Sequence, residues 1–182
     1  MAQVRPYAFG FAIVGLLIAV PVAAAVHDGA HDFDFDLGRW HTQSHRLMHP
    51  LAGATDWMDL DGETKVTPIW AGKGNLAEYK AQGPKGPLEL IAIRLYNPKT
   101  RQWAINFATP GVGMLGTPGV GEVQGGRMTF YDQEDYNGRQ IWVRFQIWPI
   151  DHDHAQSEQA FSADGGKSWE VNWVNRYTRL PG

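Results

Sequence analysis

The sequence contains no cysteine. This excludes disulfides, thiolate metal sites, cysteine nucleophiles and a lipidated cysteine after an export leader. Charge is also sparse: 19% of the 182 residues are charged, and the formal net charge is -3. Proteins that bind nucleic acid need a basic face, so this balance argues against nucleic acid as a partner.

Aromatic residues and glycine are abundant instead. The chain has 8 Trp and 21 Gly, and 43% of its residues are hydrophobic. That is enough for one domain with a substantial core. No segment after the N-terminal apolar run keeps the period of an amphipathic helix, so parallel α/β folds are disfavoured.

The apolar run covers residues 7–26, follows Arg5 and ends in Pro21 and Ala23-Ala24-Ala25. A charged start, an apolar middle and a small-residue end are typical of a secretory signal peptide. We expect residues 1–25 to be a signal peptide, residues 26–36 a flexible N-terminal segment, and the protein to be periplasmic or secreted. The alternative is an uncleaved membrane anchor, because the run is long enough to span a bilayer.

Short strands separated by turn residues are predicted for the rest of the chain. Glycine, proline and asparagine interrupt it, so that strands begin roughly every dozen residues. This spacing predicts an antiparallel meander, either a barrel or a sandwich. The predicted strands are 40–48, 63–70, 75–82, 88–96, 102–108, 120–124, 128–132, 139–150, 156–162 and 169–177.

A hairpin connection is predicted between the last two strands. Asp164-Gly165-Gly166 offers the positive φ angles of a short turn, Ser162 and Asp164 can bond turn amides, and Trp169 can fold back over the loop. The stretch 162–169 looks like the Asp-box of sialidase-type propellers. Propellers repeat their unit, and the single copy here does not support one.

Three stretches resemble the calycin superfamily and, within it, the uncharacterised lipocalin-like family labelled DUF1579-like. They are residues 33–40, residues 96–103, and residues 158–173 around the Asp164-Gly165-Gly166 turn. The resemblance spans nearly all of the chain beyond the leader. It implies an all-β fold: a single antiparallel meander β-barrel of about eight to ten strands over residues 37–182.

Within this resemblance, Gly38-Arg39-Trp40 is similar to the Gly-x-Trp of lipocalin first strands. In lipocalins an Arg near the last strand covers that Trp ring, which implies a cation–π contact from Arg176 or Arg179. Secreted lipocalins often carry a disulfide. The absence of cysteine therefore favours a bacterial-type periplasmic protein.

Small barrels that hold ligands combine aromatic walls with a few polar anchors. An interior pair of Arg144 and Glu158 would orient a carboxylate, carbonyl or phenol. The alternative is an outward ladder of charge pairs, because one bulge exchanges the faces of a strand. Tyr96 either donates to a ligand oxygen or reaches the barrel rim. The candidate ligand-binding residues are Arg144, Trp148, Glu158, Asn172, Tyr96 and Trp103.

Histidines recur along the first strand, at His41, His45 and His49. Neighbours in this series are about 13 Å apart on an extended chain, too far to share one metal ion. A polar outer face is the expected role, and residues 151–154 are expected to form a solvated turn. No metal and no cofactor are expected.

The glycine-rich loop 111–121 matches neither a phosphate-binding loop nor the dinucleotide fingerprint. Met114 and Leu115 either form a lid over a barrel mouth or belong to a tucked loop tip.

Three functions follow as hypotheses. The first is an exported barrel that binds a small apolar or aromatic molecule, without membrane insertion after cleavage. The second is an enzyme of isomerase or lyase type that uses a buried acid–base pair, with its catalytic residues unassigned. The third is a non-catalytic cell-envelope interaction module with a filled barrel. A roomy cavity would favour the first two, and a buried carboxylate with a perturbed pKa would favour the enzyme.

Overall fold

Ten antiparallel strands form the barrel wall in the computed structural model, which describes residues 27–182. The predicted signal peptide lies outside the described residues. One-turn 3₁₀ helices occupy Asp34–Asp36 and Trp70–Gly72. The strands are β1 Gly38–Leu47, β2 Trp57–Ile69, β3 Gly74–Gly83, β4 Gly86–Asn97, β5 Gln102–Ala108, β6 Gly119–Gln124, β7 Arg127–Tyr136, β8 Arg139–Pro149, β9 His154–Ser162 and β10 Glu170–Arg179.

Every strand pairs with its neighbours in sequence, and β1 closes the barrel by pairing with β10. The closing register runs from Trp40 opposite Arg179 to Arg46 opposite Trp173. The predicted all-β meander is therefore confirmed, and of the two architectures left open the barrel is the correct one. Within residues 27–182 there is no helix of the length and apolar character needed to cross a membrane.

Alternation along the strands sets which side chains face inward. On β8 the buried residues Ile141, Val143 and Ile147 are odd-numbered, and on β9 Ala155 and Ser157 are as well. The even-numbered residues of these two strands therefore lie on the outer face. In β10 the register shifts between Val171 and Trp173, where a β-bulge interrupts the alternation.

The residues before β1 pack across one end of the barrel. Phe33 is 1% exposed, and its ring centroid lies 4.9 Å from that of Trp103. The Trp103 indole N–H donates to the Gly29 carbonyl oxygen at 2.9 Å, and the Trp40 indole N–H donates to the Asp36 carbonyl oxygen at 2.8 Å. We call residues 27–37 the N-terminal strap and the end that it covers the closed end. This packing differs from the flexible segment expected over 26–36, because Phe33 enters the core.

Arg179 covers the Trp40 ring, with its guanidinium carbon 4.0 Å from the ring centroid. The same side chain donates to the carbonyl oxygens of Leu37 at 2.9 Å and Phe35 at 2.8 Å. The arginine contact implied by the lipocalin resemblance is confirmed, and Arg179 rather than Arg176 makes it.

The predicted turn before β10 is also confirmed. Asp164 accepts backbone N–H bonds from Lys167 at 3.0 Å and Ser168 at 2.9 Å, and the Ser168 hydroxyl bonds the same carboxylate. These bonds lower the pKa of Asp164, with the Ser168 hydroxyl as the largest cause. The Trp169 indole N–H reaches back to the Gly166 carbonyl oxygen at 3.1 Å.

Candidate functional site

A cavity of about 220 Å³ lies inside the barrel, above the core of the closed end. We call it the inner cavity. Most of its wall is aromatic or aliphatic, with a few polar groups between. It is lined by Thr64, Ala77, Tyr79, Leu90, Ala92, Arg94, Phe107, Thr109, Glu134, Phe145, Gln159, Trp173, Asn175 and Tyr177.

Small side chains on two neighbouring strands leave this space open. Ala77 on β3 and Ala92 on β4 lie directly opposite each other in the register, and both are buried. Because neither projects beyond a methyl group, the centre of the barrel is not filled from this side. The aromatic rings of Phe107, Phe145 and Trp173 border the cavity.

A chain of hydrogen bonds holds the polar groups of the wall. The Ser44 hydroxyl bonds the Tyr79 hydroxyl at 2.7 Å and donates to Asn175 Oδ1 at 2.5 Å. The Asn175 amide donates to the Ser157 hydroxyl at 2.9 Å, which bonds the Tyr177 hydroxyl at 2.9 Å. Networks of this kind fix the orientation of the groups that they connect.

Burial determines the protonation of the two phenols in this network. It raises the pKa of Tyr177 to about 12 and also raises that of Tyr79. Both hydroxyls therefore stay protonated at neutral pH. The Tyr79 proton is used on Ser44, which gives its own proton to Asn175, whereas Ser157 can donate to Tyr177 and leave the Tyr177 proton free for a ligand.

Arg94 forms the floor of the inner cavity on the side of the closed end. It is 4% exposed, and it forms a buried ion pair with Asp36 of the strap. Its guanidinium also donates to Asn75 Oδ1 at 3.3 Å and lies 4.6 Å from the centroid of the Phe33 ring. Arg94 Nε has no hydrogen-bond partner among the described residues.

The barrel wall is incomplete on one side. β6 begins at Gly119, opposite Ile105 in the middle of β5, and its first pair with β7 is Val120 with Tyr131. Residues 106–108 of β5 and 132–136 of β7 therefore have no β6 partner. The exposed loop 109–118 lies beside β5 here, held by the Gly116 N–H bond to the Phe107 carbonyl at 2.8 Å. We call this gap the lateral opening.

Two carboxyl groups of β7 border the lateral opening. Burial raises the pKa of Asp132 to about 7, with a smaller contribution from the negative charge of Glu134. Burial also raises the pKa of Glu134, which lines the inner cavity. Asp132 Oδ1 has no hydrogen-bond partner within residues 27–182. A carboxyl with a pKa near 7 can both give and accept a proton at neutral pH.

The end opposite the strap contains a second cavity of about 340 Å³, which we call the mouth cavity. It shares Gln159 with the inner cavity. It is lined by Arg46, Leu47, Met48, Pro50, Met58, Leu60, Lys85, Gly86, Pro87, Leu88, Tyr136, Gln159, Phe161 and Asn172.

Three of the six predicted ligand-binding residues lie inside the barrel, in two separate places. Asn172 is buried and lines the mouth cavity. Tyr96 and Trp103 pack together at the closed end, with their ring centroids 5.4 Å apart. The Tyr96 hydroxyl donates to Asp28 Oδ1 at 2.9 Å, so it is occupied by the strap.

The other three are even-numbered residues of β8 and β9, and they lie on the outer face. The guanidinium of Arg144 stacks 4.7 Å from the Trp169 ring centroid, and Trp148 is covered by Arg127 at 3.7 Å. Glu158 accepts a bond from Gln156 at 2.9 Å. The interior Arg144–Glu158 pair is thus corrected: the parity of the two strands directs both side chains outward.

The sequence analysis did not predict four polar residues of the inner cavity. Arg94 forms its floor, and Tyr79, Glu134 and Tyr177 lie in its wall. Alternation does place Tyr79 on the same face as Ala77. The inner face of β3 could also have been predicted, because Glu78, Lys80 and Gln82 occupy the opposite face.

The histidines of β1 pair with acidic residues of β2 on the outer face. His41 bonds Asp61 at 2.9 Å, and His45 bonds Asp59 at 2.6 Å. Over the described range 27–182, no group of three or more His, Cys, Asp or Glu side chains is placed to hold a metal ion.

No family model matches the sequence, and no curated protein matches it. Among solved structures, the chain is similar to the S-type phycobiliprotein lyase CPES from Guillardia theta, with a TM-score of 0.56 and 12% identity over 82% of this chain and 91% of the lyase. This similarity supports the lipocalin-like barrel fold.

Two engineered barrels also match. One is a de novo designed fluorescence-activating β-barrel, with a TM-score of 0.44 and 12% identity over 85% of this chain and 100% of that chain. The other is the redesigned barrel mFAP0 bound to DFHBI, with a TM-score of 0.45 and 13% identity over 80% of this chain and 99% of that chain.

Proposed function

We propose that this protein binds a small apolar or aromatic molecule in the inner cavity. The observation that carries the proposal is a cavity in the middle of a closed barrel, with aromatic walls and hydrogen-bond donors held in place by a network. Pockets of this composition are typical of small-molecule sites. The space also argues against a filled barrel that acts only as an interaction module.

The walls define the chemistry of the ligand. A flat ring would lie between Trp173 on one side and the two phenylalanines Phe107 and Phe145 on the other. The ring centroids of these two phenylalanines are 5.4 Å apart. The Tyr177 hydroxyl would donate to a carbonyl or phenolic oxygen, and the Tyr79 oxygen would accept from a ligand hydroxyl. A volume of about 220 Å³ is below the range of drug-sized pockets, so a ligand of about one or two rings fits best.

We also propose that the chain is an exported member of the DUF1579-like calycins. The Arg179 contact on Trp40 and the barrel closure support the calycin assignment. Export rests on the charged, apolar and small-residue pattern of residues 1–25 alone.

Native mass spectrometry of the mature protein tests ligand binding, together with calorimetric titration of naphthalene, indole and coumarin. Ala92→Leu extends a side chain into the inner cavity and should abolish binding. Ala104→Leu makes the same change on the outer face of β5 and should leave binding intact. If the wild-type protein carries no adduct and binds none of the three compounds, the proposal is wrong.

An acid–base enzyme of isomerase or lyase type is the second candidate. The raised pKa of Asp132, to about 7, favours it because such a carboxyl can shuttle protons at neutral pH. A bound carbonyl compound incubated in D₂O should exchange a carbon-bound proton, and Asp132→Asn should abolish exchange while binding persists. Binding without exchange would leave the protein a carrier.

A further inference from the structure

Two cations lie at the mouth cavity with no acidic partner. Arg46 and Lys85 both line it, and neither forms an ion pair in the described part of the chain. The guanidinium carbon of Arg46 lies 4.5 Å from the centroid of the Trp173 ring. A cation–π contact of this kind holds the planar guanidinium over the ring.

The remaining polar lining of this cavity adds no negative charge. None of its lining residues is Asp or Glu. Asn172 is 2% exposed, and its Nδ2 has no hydrogen-bond acceptor within residues 27–182. A buried amide donor without an acceptor is costly, and an acceptor supplied by a ligand would satisfy it. The mouth cavity therefore offers positive charge and an unmet donor together.

The mouth cavity is also next to the inner cavity. Gln159 lines both, and Trp173, which lies under Arg46, belongs to the wall of the inner cavity. Leu60 and Leu88 of the mouth cavity pack in one cluster with Tyr79 of the inner cavity. A ligand with its ring in the inner cavity can therefore reach the cations through a short chain of methylene groups.

We propose that the mouth cavity is a subsite for the carboxylate of the ligand, so that the ligands of this barrel are apolar carboxylic acids. The inference rests on the proposed function and narrows its ligand class. A planar carboxylate matches the planar donor set of Arg46, and the charge of Lys85 complements the second oxygen. The inner cavity, with its uncharged hydrogen-bond network, would hold the apolar part of the ligand.

Calorimetric titration with naphthylbutyric acid and its methyl ester tests this subsite. The wild-type protein should bind the acid at least about tenfold more tightly than the ester, because a hydrogen bond to a charged group increases affinity by about that factor. Arg46→Met combined with Lys85→Met should reduce the preference to near one and leave the affinity for the ester unchanged. Both side chains are exposed, so the fold should be retained.

Arg144→Met is the matched control. Arg144 also stacks on a tryptophan, but on the outer face, so its removal should leave the preference for the acid unchanged. High salt should reduce the preference of the wild type, because the cations are accessible to solvent.

Equal affinity of the wild type for acid and ester would overturn the carboxylate subsite, as would a preference that survives in the double variant. In both cases ester binding would leave the proposed function standing. If neither probe nor naphthalene binds, the proposed function itself fails.

Discussion

Asp132 shows how one inward carboxyl links the fold to the site. It follows the buried core residue Phe130 on the inner face of β7, and one of its oxygens has no hydrogen-bond partner in the described part of the chain. Burial raises the pKa of this group to about 7, so it holds its proton at acidic pH and loses it around neutral pH. Asp132 lies near Gly119 at the lateral opening, and Glu134, two residues along the same face of β7, lines the inner cavity.

The raised pKa predicts that stability falls as the pH rises from about 4 to 7. In this window the unfolded chain has lost the proton of Asp132 and the folded protein retains it, so folding takes up a proton. Asp132→Asn should therefore stabilise the protein at pH 7.5 and above, by about 1–2 kcal/mol after allowance for partial exposure. Near pH 4 the gain should vanish.

Thermal unfolding across this pH range measures the effect. Glu122→Gln, an exposed change on β6, is the control and should leave the melting temperature equal to that of the wild type at every pH. A constant difference between the Asp132→Asn variant and the wild type at all pH values would contradict the assignment of the titration to Asp132.

For single residues, the sequence predicts which side chains can contact each other better than it predicts the face of the strand on which a side chain lies. The Trp40 contact was predictable only through the lipocalin resemblance, which implies a late arginine over the Trp of the Gly-x-Trp start. The choice between Arg176 and Arg179 needed the closing register. The direction of Arg144 was not predictable. Both faces of β8 carry large side chains, so hydrophobicity does not identify the inner one.

Among the elements, the N-terminal strap contributes most to the closed end of the barrel. Its Phe33 contacts the rings of Trp103 and Phe130, with centroids 4.9 and 6.1 Å away, and lies under the guanidinium of Arg94. Its Asp36 neutralises Arg94. The strap thus supplies both the apolar plug of the closed end and the counter-ion of the cavity floor.

Phe33→Ala should therefore destabilise the protein by about 3–5 kcal/mol, the usual cost of removing a buried phenylalanine. Urea unfolding measures it. His31→Ala, in the exposed part of the same strap, should cost less than about 0.5 kcal/mol. If both variants were equally stable, the strap would not be part of the cooperative unit.

The strands themselves could be predicted, because turn residues separate them at regular spacing. For example, the predicted strand 139–150 corresponds to β8 at Arg139–Pro149. The strap and the lateral opening could not. Phe33 sits among four aspartates, which conceals its burial, and the opening depends on β6 starting at Gly119, halfway along β5.

For the whole molecule, closure of the barrel joins the two ends of the described chain. β1 and β10 are the most distant strands in sequence, and their pairing leaves neither of them as an unpaired edge of the sheet. Arg179 reinforces this seam, because one side chain binds the strap, the β8–β9 turn and Trp40. Its Nε donates to the His152 carbonyl oxygen at 3.1 Å.

Arg179→Met should therefore destabilise the whole barrel by about 2–4 kcal/mol, through the loss of three hydrogen bonds from a charged donor and of the contact with Trp40. Arg176→Met is the matched control. Arg176 lies three residues away on the exposed face of β10, so its removal should change stability by less than about 0.5 kcal/mol.

Urea unfolding followed by tryptophan fluorescence and by far-UV circular dichroism should give coincident transitions for both variants. Coincidence would show that strap, seam and barrel unfold as one unit. An Arg179→Met protein in which the fluorescence transition precedes the dichroism transition would instead mean that the closed end opens before the barrel wall unfolds.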